Sequence, residues 1–371
     1  MKIGILGGGQ LGRMLIQEAL KYDDEFYTLD PSSDCPCAGI SYFTKGDFND
    51  YQTVIDFGKD KDVLTIEIEH VNVQALEDLQ KQGIKIIPSP SAVKIIQQKI
   101  LQKEFYQKNE IPSPDFQVIR NKSEVNFPLP FVQKLNTGGY DGKGVQVIRS
   151  EKELENLWDS PSVLEALVDI EKELSVIVAK NDKGEIKVFP VTEMVANQRL
   201  NLLDFNICPS QISDEIQTQI DEIVKKFIQA MASSGLFAIE LFLDKNGKVW
   251  VNETAPRLHN SGHLTQEGNS NSQFEQIYRV VKNLPLADTD ADKYSGMFNL
   301  VGEEGYQGKV YYEGLEEVLK LPKTYVHLYG KTETKPGRKM GHINILADSR
   351  EELLEKLTAI KSMIRVISKK H

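Results

Sequence analysis

Two glutamates on neighbouring strand patterns carry the first chemical signal. Ala238-Ile239-Glu240-Leu241-Phe242-Leu243-Asp244 and Lys248-Val249-Trp250-Val251-Asn252-Glu253 read as strands joined through Lys245-Asn246-Gly247. Asn-Gly favours a two-residue hairpin turn with positive φ at both positions. With Asn246 and Gly247 at the tip, Leu243 faces Trp250, Leu241 faces Asn252 and Glu240 faces Glu253. Directly opposed side chains sit roughly 4.5–5.5 Å apart, where like charges repel. Both carboxylates lie among apolar neighbours, where an unpaired charge is costly. A divalent cation resolves the conflict, because carboxylates together with nucleotide phosphates are the usual cage for Mg²⁺. Two other outcomes stay open: a Lys or Arg from another element meets one glutamate, or a longer loop shifts the register by one.

Two glycine-rich segments could handle phosphate. Lys134-Leu135-Asn136-Thr137-Gly138-Gly139-Tyr140-Asp141-Gly142-Lys143-Gly144 joins two strand patterns and holds four glycines in the seven residues from Gly138. Such a loop makes physical sense as a flap whose bare N–H groups close over phosphates, with Lys134 as a point charge beside them. It is not a Walker A motif, since Gly142-Lys143-Gly144-Val145 runs into a strand, and a flexible surface hairpin is the plainer alternative. Near the N-terminus, Gly7-Gly8-Gly9-Gln10-Leu11-Gly12 follows a strand and opens a helix, and Asp30 ends the next strand. This is the dinucleotide-binding fingerprint, NAD(P) included, with free helix N–H groups for an anion. A tight turn that needs small residues for packing reads equally well.

Cationic loops complete the set. Directly after Glu253 come Arg257, His259, Asn260 and His263. A cationic loop beside a metal–phosphate site suits a small oxyanion such as bicarbonate, a carboxylate or an acyl phosphate. Zinc is disfavoured, because Ser261-Gly262 breaks a helix between the two histidines and no third ligand is evident. Lys331-Thr332-Glu333-Thr334-Lys335-Pro336-Gly337-Arg338-Lys339 is a basic turn in an acidic chain, which points either to a phosphate-bearing substrate or to a solvated charge run.

The elements that must position these groups follow from hydrophobic period. Strands at Lys2–Leu6, Glu25–Asp30, Val63–Glu67 and Ile84–Pro88 alternate with helices at Gly12–Tyr22, Asp50–Gly58 and Val73–Gly83. That is βαβ texture with a parallel sheet. Pro88-Ser89-Pro90-Ser91 caps a helix predicted to run to about Lys108. Beyond Ile111-Pro112-Ser113-Pro114 the texture turns to hairpins: Phe131–Leu135 with Val145–Ile148, and Leu174–Ala179 with Glu185–Pro190. The amphipathic helix Asp214–Ser233 then carries Ile216, Ile220, Ile223, Phe227 and Met231 on one stripe, and a helix at Ser349–Met363 closes the chain. The fold class is α/β passing into α+β.

Composition narrows the class. The 371 residues suit two or three domains and need no disulfide or metal staple. With 44 basic against 54 acidic residues, net −10, the chain lacks the basic face that a general nucleic-acid or membrane-surface binder requires. No apolar run reaches the roughly 18 residues of a membrane span. Three cysteines, Cys35, Cys37 and Cys208, show no paired spacing and read as reduced thiols. A cytoplasmic protein is expected.

Taken together, these stretches resemble the ATP-grasp superfamily and, within it, the N5-carboxyaminoimidazole ribonucleotide synthetase family. The resemblance rests on Gly7–Met14, Thr65-Ile66-Glu67-Ile68-Glu69-His70-Val71, Thr137–Gly144, Asn252–Arg257, His259-Asn260-Ser261-Gly262-His263 and Pro336–His342, in family order over nearly the whole chain. It implies an ATP-grasp fold with a Rossmann-like pre-ATP-grasp domain over 1–90. An ATP-grasp domain over 91–295, with a lid at about 115–170, and a small β-rich C-terminal domain over 296–371 would follow. It also implies a homodimer, and a ligase that carboxylates 5-aminoimidazole ribonucleotide in purine biosynthesis with ATP, Mg²⁺ and bicarbonate through carboxyphosphate.

Carried over by position, Lys99 and Lys134 would bind ATP phosphates, and Gly139, Tyr140, Asp141, Gly142, Lys143, Gly144 and Val145 would form the phosphate flap. Glu165, Ala166, Leu167 and Val168 would line the adenine pocket and Glu173 would hold the ribose, with Asn197 and Asn252 also toward ATP. Glu240 and Glu253 would bind Mg²⁺, and Arg257, His259 and Asn260 would hold bicarbonate and carboxyphosphate. Gln10, Leu11, Glu67, Tyr140 and Asp141 would contact the aminoimidazole ribonucleotide, with Lys331 and Arg338 on its phosphate. The chain departs from the family pattern at Lys99, usually Arg, at Gln98, often Asp, and over Val195-Ala196-Asn197, which lacks a His. Other readings carried forward are a different ATP-grasp ligase, such as the formate-dependent glycinamide ribonucleotide transformylase or biotin carboxylase, an NAD-dependent oxidoreductase, and a non-catalytic ATP-binding regulator.

Overall fold

The computed structural model describes residues 1–138, 144–197 and 202–369. Its first unit is a five-stranded parallel sheet in the order Tyr42–Lys45, Glu25–Asp30, Lys2–Leu6, Val63–Ile66, Lys85–Ile87. The strand order reverses between Lys2–Leu6 and Val63–Ile66, and the crevice at the carboxyl ends of two such strands is where open α/β sheets bind ligands. Here that crevice is built by Gly7–Gly9 on one side and Glu67 on the other. Tyr42–Lys45 was not expected as a strand: it is a short edge strand, largely exposed, and so lacks an apolar alternation.

The predicted helix from Pro88 to Lys108 is two helices, Pro90–Gln97 and Lys99–Lys108. Gln98 between them is extended, φ −115° and ψ 115°. The break has a partner that lies far off in sequence. Asn136 accepts from Lys99 N through its carbonyl at 2.9 Å and from Ile100 N through Oδ1 at 3.0 Å, so it serves as the cap of the second helix. The kink places Lys99 at a helix start facing the site.

The central sheet is antiparallel and runs Val249–Ala255, Gly235–Asp244, Ile170–Lys180, Thr192–Asn197, Leu202–Cys208, Tyr294–Val301, Lys339–Ala347, Thr324–Leu328, with Ile186–Val188 also on Ile170–Lys180. It continues through the Leu202–Cys208 pairing with Tyr294–Val301 into the C-terminal strands. Helix Asp214–Ala230 packs on it through Ile216, Ile220, Ile223 and Phe227, the stripe expected from the sequence. A four-stranded sheet (Phe116–Ile119, Ser162–Ala166, Phe131–Leu135, Val145–Ile148) has its own small core of Ile119, Phe131, Ile148, Leu157 and Leu164. A three-stranded sheet joins Glu333–Thr334, Gly308–Glu313 and Arg365–Ser368.

One core cluster locks the parallel sheet against the central one. Ile3, Ile5 and Met14 pack with Ile177, Ala179, Phe274, Tyr278 and Tyr329. That continuity fixes the glycine turn at Gly7–Gly9 relative to the loop after Glu253. Among the described residues no helix is long and apolar enough to cross a membrane.

Candidate active site

The hairpin register explains how Glu240 and Glu253 come to face each other. The turn is not the expected two-residue type. Gly247 has φ +78° but Asn246 is not in the left-handed region, and Asp244 Oδ1 accepts from Asn246 N at 2.8 Å and Lys248 N at 3.0 Å. A three-residue loop closed by a glycine in the left-handed region shifts the register by one. Near the turn the pairs are therefore Leu243 with Val249, Phe242 with Trp250 and Leu241 with Val251, not those predicted. A β-bulge then inserts Asn252 as an extra residue and restores the expected pairing of Glu240 with Glu253.

The bulge gives Asn252 a purpose. Its Nδ2 donates to Glu240 Oε2 at 3.2 Å and its Oδ1 accepts from Lys134 Nζ at 2.8 Å. Lys134 Nζ also lies 3.1 Å from Glu165 Oε2. Lys99 Nζ pairs with Glu253 Oε2, so one glutamate does meet a lysine from another element, as one of the alternatives held. Burial works to raise the Glu253 carboxyl, but the charges of Lys99 and Lys134 outweigh it and hold the group below its ordinary value. Burial likewise opposes the charge on Lys99, and Glu253 overrides it to raise the ammonium. Lys99, Lys134, Glu165, Asn252, Glu240 and Glu253 thus form one contiguous cluster.

The other glutamate reaches the following loop. His259 Nε2 is 3.2 Å from Glu240 Oε1, and His259 Nδ1 is 2.8 Å from Ser261 Oγ. Beside it, both polar atoms of the Asn260 carboxamide are shut away from solvent without a hydrogen-bond partner among the described residues. Such a group is costly unless something polar binds it. Arg257 makes a two-point contact with Glu69 and donates from Nη1 to Leu258 O at 3.0 Å. His263 does not join His259. It is buried, tilted against His342 with ring centroids 4.7 Å apart, and burial holds its imidazole well below the usual value. Among the described residues no group of three or more His, Cys, Asp or Glu is placed to hold a metal unaided. Two carboxylates that need phosphate oxygens to complete a shell fit Mg²⁺ with a nucleotide.

The N-terminal glycine turn is occupied by the protein itself. Gly8 N donates to Asp30 Oδ2 at 2.9 Å and Leu11 N donates to Glu67 Oε1 at 3.2 Å. A Cβ at Gly9 would land on Glu67 Oε1, and one at Gly7, where φ is +101°, would sit 2.7 Å from Glu67 Oε2. The small residues are there so that a carboxylate can take the helix N-terminus, where a dinucleotide pyrophosphate would otherwise sit. Burial raises Glu67 to about 7, against the pull of Arg257 and the backbone N–H groups. Leu11 has its side chain in the core. Gln10 Oε1 accepts from Lys331 Nζ at 3.1 Å, which brings the basic turn to the same crevice. Arg338 Nη1 donates to Glu333 O at 2.6 Å within that turn.

Of the remaining expected residues, Gly144 carries φ +74° and accepts from Leu135 N at 2.9 Å, and Val145 is exposed opposite Lys134. Ala166 ends its strand and Leu167 beyond it is exposed, while the Glu165 side chain is buried on the lysines. Burial and the nearby Glu240 carboxylate push Glu173 up. Gly139, Tyr140, Asp141, Gly142 and Lys143 lie outside the described residues, as does the side chain of Asn197. Lys103 was not anticipated. It is almost fully buried, with Nζ 3.5 Å from Glu165 Oε2 and 3.2 Å from Pro114 O, and burial lowers it to about 8. A lysine on the buried side of helix Lys99–Lys108, next to Gln102 and Tyr106, was its only sequence signal.

Comparison with known proteins fits this geometry. Residues 1–97 match the ribonucleotide synthetase preATP-grasp domain, 104–274 the ATP-grasp domain and 295–356 the phosphoribosylaminoimidazole carboxylase C-terminal domain. The N5-carboxyaminoimidazole ribonucleotide synthase of Bacillus subtilis is 35% identical, over 96% of this chain and 94% of that one. The chain belongs to the N5-carboxyaminoimidazole ribonucleotide synthase family. The synthetase of Thermotoga maritima has a crystal structure that superposes with a TM-score of 0.92 at 43% identity, covering 99% of both chains. That of Aspergillus clavatus, solved with ADP and 5-aminoimidazole ribonucleotide, gives 0.88 at 32% identity over 98% of both. The chain spans 66% of the length of the chloroplastic phosphoribosylaminoimidazole carboxylase of Vigna aconitifolia, at 36% identity. The fold is that of an ATP-grasp ligase.

Proposed function

We propose that this synthase-family chain carboxylates 5-aminoimidazole ribonucleotide to N5-carboxyaminoimidazole ribonucleotide, using ATP and bicarbonate. The observation that carries the reading is the adjacency of the lysine-flanked Glu240–Glu253 pair and the buried Asn260 carboxamide, unpaired among the described residues. A site for metal-bound triphosphate thereby stands next to a site for a small polar oxyanion. Glu240 and Glu253 would hold Mg²⁺, which when bound neutralises charge on the phosphates under attack.

Lys99 and Lys134 would receive the phosphates, exchanging their carboxylate and amide partners for phosphate oxygens. Gly139–Val145 would close over them, with Ala166, Leu167 and Val168 at the adenine, Glu165 bracing Lys134, and Glu173 and Asn197 toward the ribose side. Arg257, His259 and Asn260 would orient bicarbonate so that one of its oxygens attacks the γ-phosphorus. The bond from phosphorus to the β-bridging oxygen breaks, ADP leaves, and carboxyphosphate forms. Its breakdown gives phosphate and CO₂, which must be kept from water until the amine arrives. Gln10, Tyr140, Asp141, Lys331 and Arg338, with the backbone at Leu11, would hold the ribonucleotide. Glu67, poised near neutrality, is suited to take the proton released when the amine adds to CO₂.

Free thiols at Cys35, Cys37 and Cys208 accord with a reducing cytoplasm, and the family resemblance adds a homodimer, which light scattering would test. The deciding experiment is ADP release with Mg²⁺-ATP and bicarbonate, with and without the ribonucleotide. Strong stimulation is expected. Its absence, together with stimulation by glycinamide ribonucleotide plus formate, would move the chain to another ATP-grasp ligase.

A further inference from the structure

His259 lies beyond the strand Val249–Ala255, with an extended backbone, φ −132° and ψ 151°. A single side chain pairs both of its backbone groups. Gln273 Oε1 accepts from His259 N at 3.0 Å, and Gln273 Nε2 donates to His259 O at 2.8 Å. The carboxamide thus makes the two-point contact that a neighbouring strand would otherwise make.

Gln273 is fully buried at the first position of helix Gln273–Lys282. Its own N–H donates to Thr265 Oγ1 at 2.9 Å, and that hydroxyl donates to Gly262 O at 2.6 Å. Gly262 leaves the room required, since a Cβ there would stand 2.6 Å from Gln273 Cδ and Oε1. Nε2 also lies 3.4 Å from His263 Nδ1. Among the described residues, every hydrogen-bond partner of this amide belongs to the loop from His259 to His263.

A buried amide is costly where an apolar residue would pack as well. The contact requires a donor and an acceptor on one planar group: a carboxylate only accepts and a thioether donates nothing. Groups that act from loops must be held to a fraction of an ångström by the elements behind them.

We infer that Gln273 is a positioning residue for the carboxylation, a buried carboxamide that fixes the His259 backbone and so sets where the His259 imidazole and the Asn260 carboxamide stand beside Glu240. The inference rests on the function proposed above for this loop. It assigns Gln273 no contact with substrate.

The test compares the wild type with Gln273→Met, similar in length but unable to make either bond. ADP release in the presence of ribonucleotide is measured with bicarbonate and ATP varied separately. kcat/KM for bicarbonate should fall on the order of 100-fold, while KM for ATP stays at the wild-type value. A folded variant with wild-type kcat/KM for bicarbonate, or with KM for ATP raised alongside the loss, would overturn the inference. Amide hydrogen exchange at His259 needs neither turnover nor a folded variant. Slow exchange is expected in the wild type, and exchange at the rate of an open peptide would overturn the inference whatever the variant does. Wild-type protein that shows no stimulation by the ribonucleotide counts against the functional reading alone.

Discussion

The Glu69 carboxylate holds the Arg257 guanidinium by two oxygens, Oε2 2.5 Å from Nε and Oε1 3.1 Å from Nη2. The first residue lies just past a strand of the parallel sheet and the second just past a strand of the central sheet, so the pair ties the two halves of the crevice together. Burial alone would raise Glu69; the charge and hydrogen bonds of Arg257 outweigh it and lower the carboxyl from its ordinary 4.5 to about 2. A carboxyl lowered on folding adds stability that is complete above its unfolded value and lost as pH falls through the folded one. Glu69→Gln is therefore expected to lose roughly 1–3 kcal/mol near neutrality. The gap from wild type should close between about pH 4.5 and 2. Urea unfolding across that range checks it, and a gap independent of pH would contradict the assignment.

Replacing Glu253 by Gln removes a carboxylate from the proposed metal pair while keeping its shape. ADP release is expected to fall on the order of 100-fold or more. The fold should stay intact with a lower melting temperature, because the amide oxygen still accepts from Lys99 but no longer offsets its buried charge. Full activity in Glu253→Gln would remove the metal role from this residue.

Glu67 gives a pH signature. A base with a value of about 7 is protonated and idle below it, so kcat/KM for the ribonucleotide should rise with pH through about 7. Glu67→Gln should flatten that limb. Stability runs the other way, since a carboxyl raised on folding adds stability that is present below its ordinary 4.5 and lost as pH rises through about 7. The Gln variant should thus gain on wild type in melting temperature between pH 5 and pH 8. An unchanged rising limb in the variant would assign the proton transfer elsewhere.

Legibility followed the range of the forces involved. The parallel strands and the hairpin that carries Glu240 and Glu253 were readable because hydrophobic period and turn propensity are local. The pairing of the two glutamates came out as expected only because the Asn252 bulge cancels the register shift made by the longer turn, which no local rule foretells. Asn136 capping the helix at Ile100 and Lys103 buried on Glu165 depend on contacts between distant segments. The glycines at the N-terminus were readable as a need for close approach but not for what approaches. The visitor is the Glu67 side chain, where a cofactor phosphate was one of the readings.

Direct attack of bicarbonate on the γ-phosphate leaves a mark in the fate of its oxygen. With ¹⁸O-labelled bicarbonate, Mg²⁺-ATP and 5-aminoimidazole ribonucleotide, the phosphate released in the first turnovers should carry a single ¹⁸O from the oxygen that attacked phosphorus. Unlabelled phosphate formed in step with carboxylated product would mean that water or another group takes the phosphoryl, and the account of this site would be wrong.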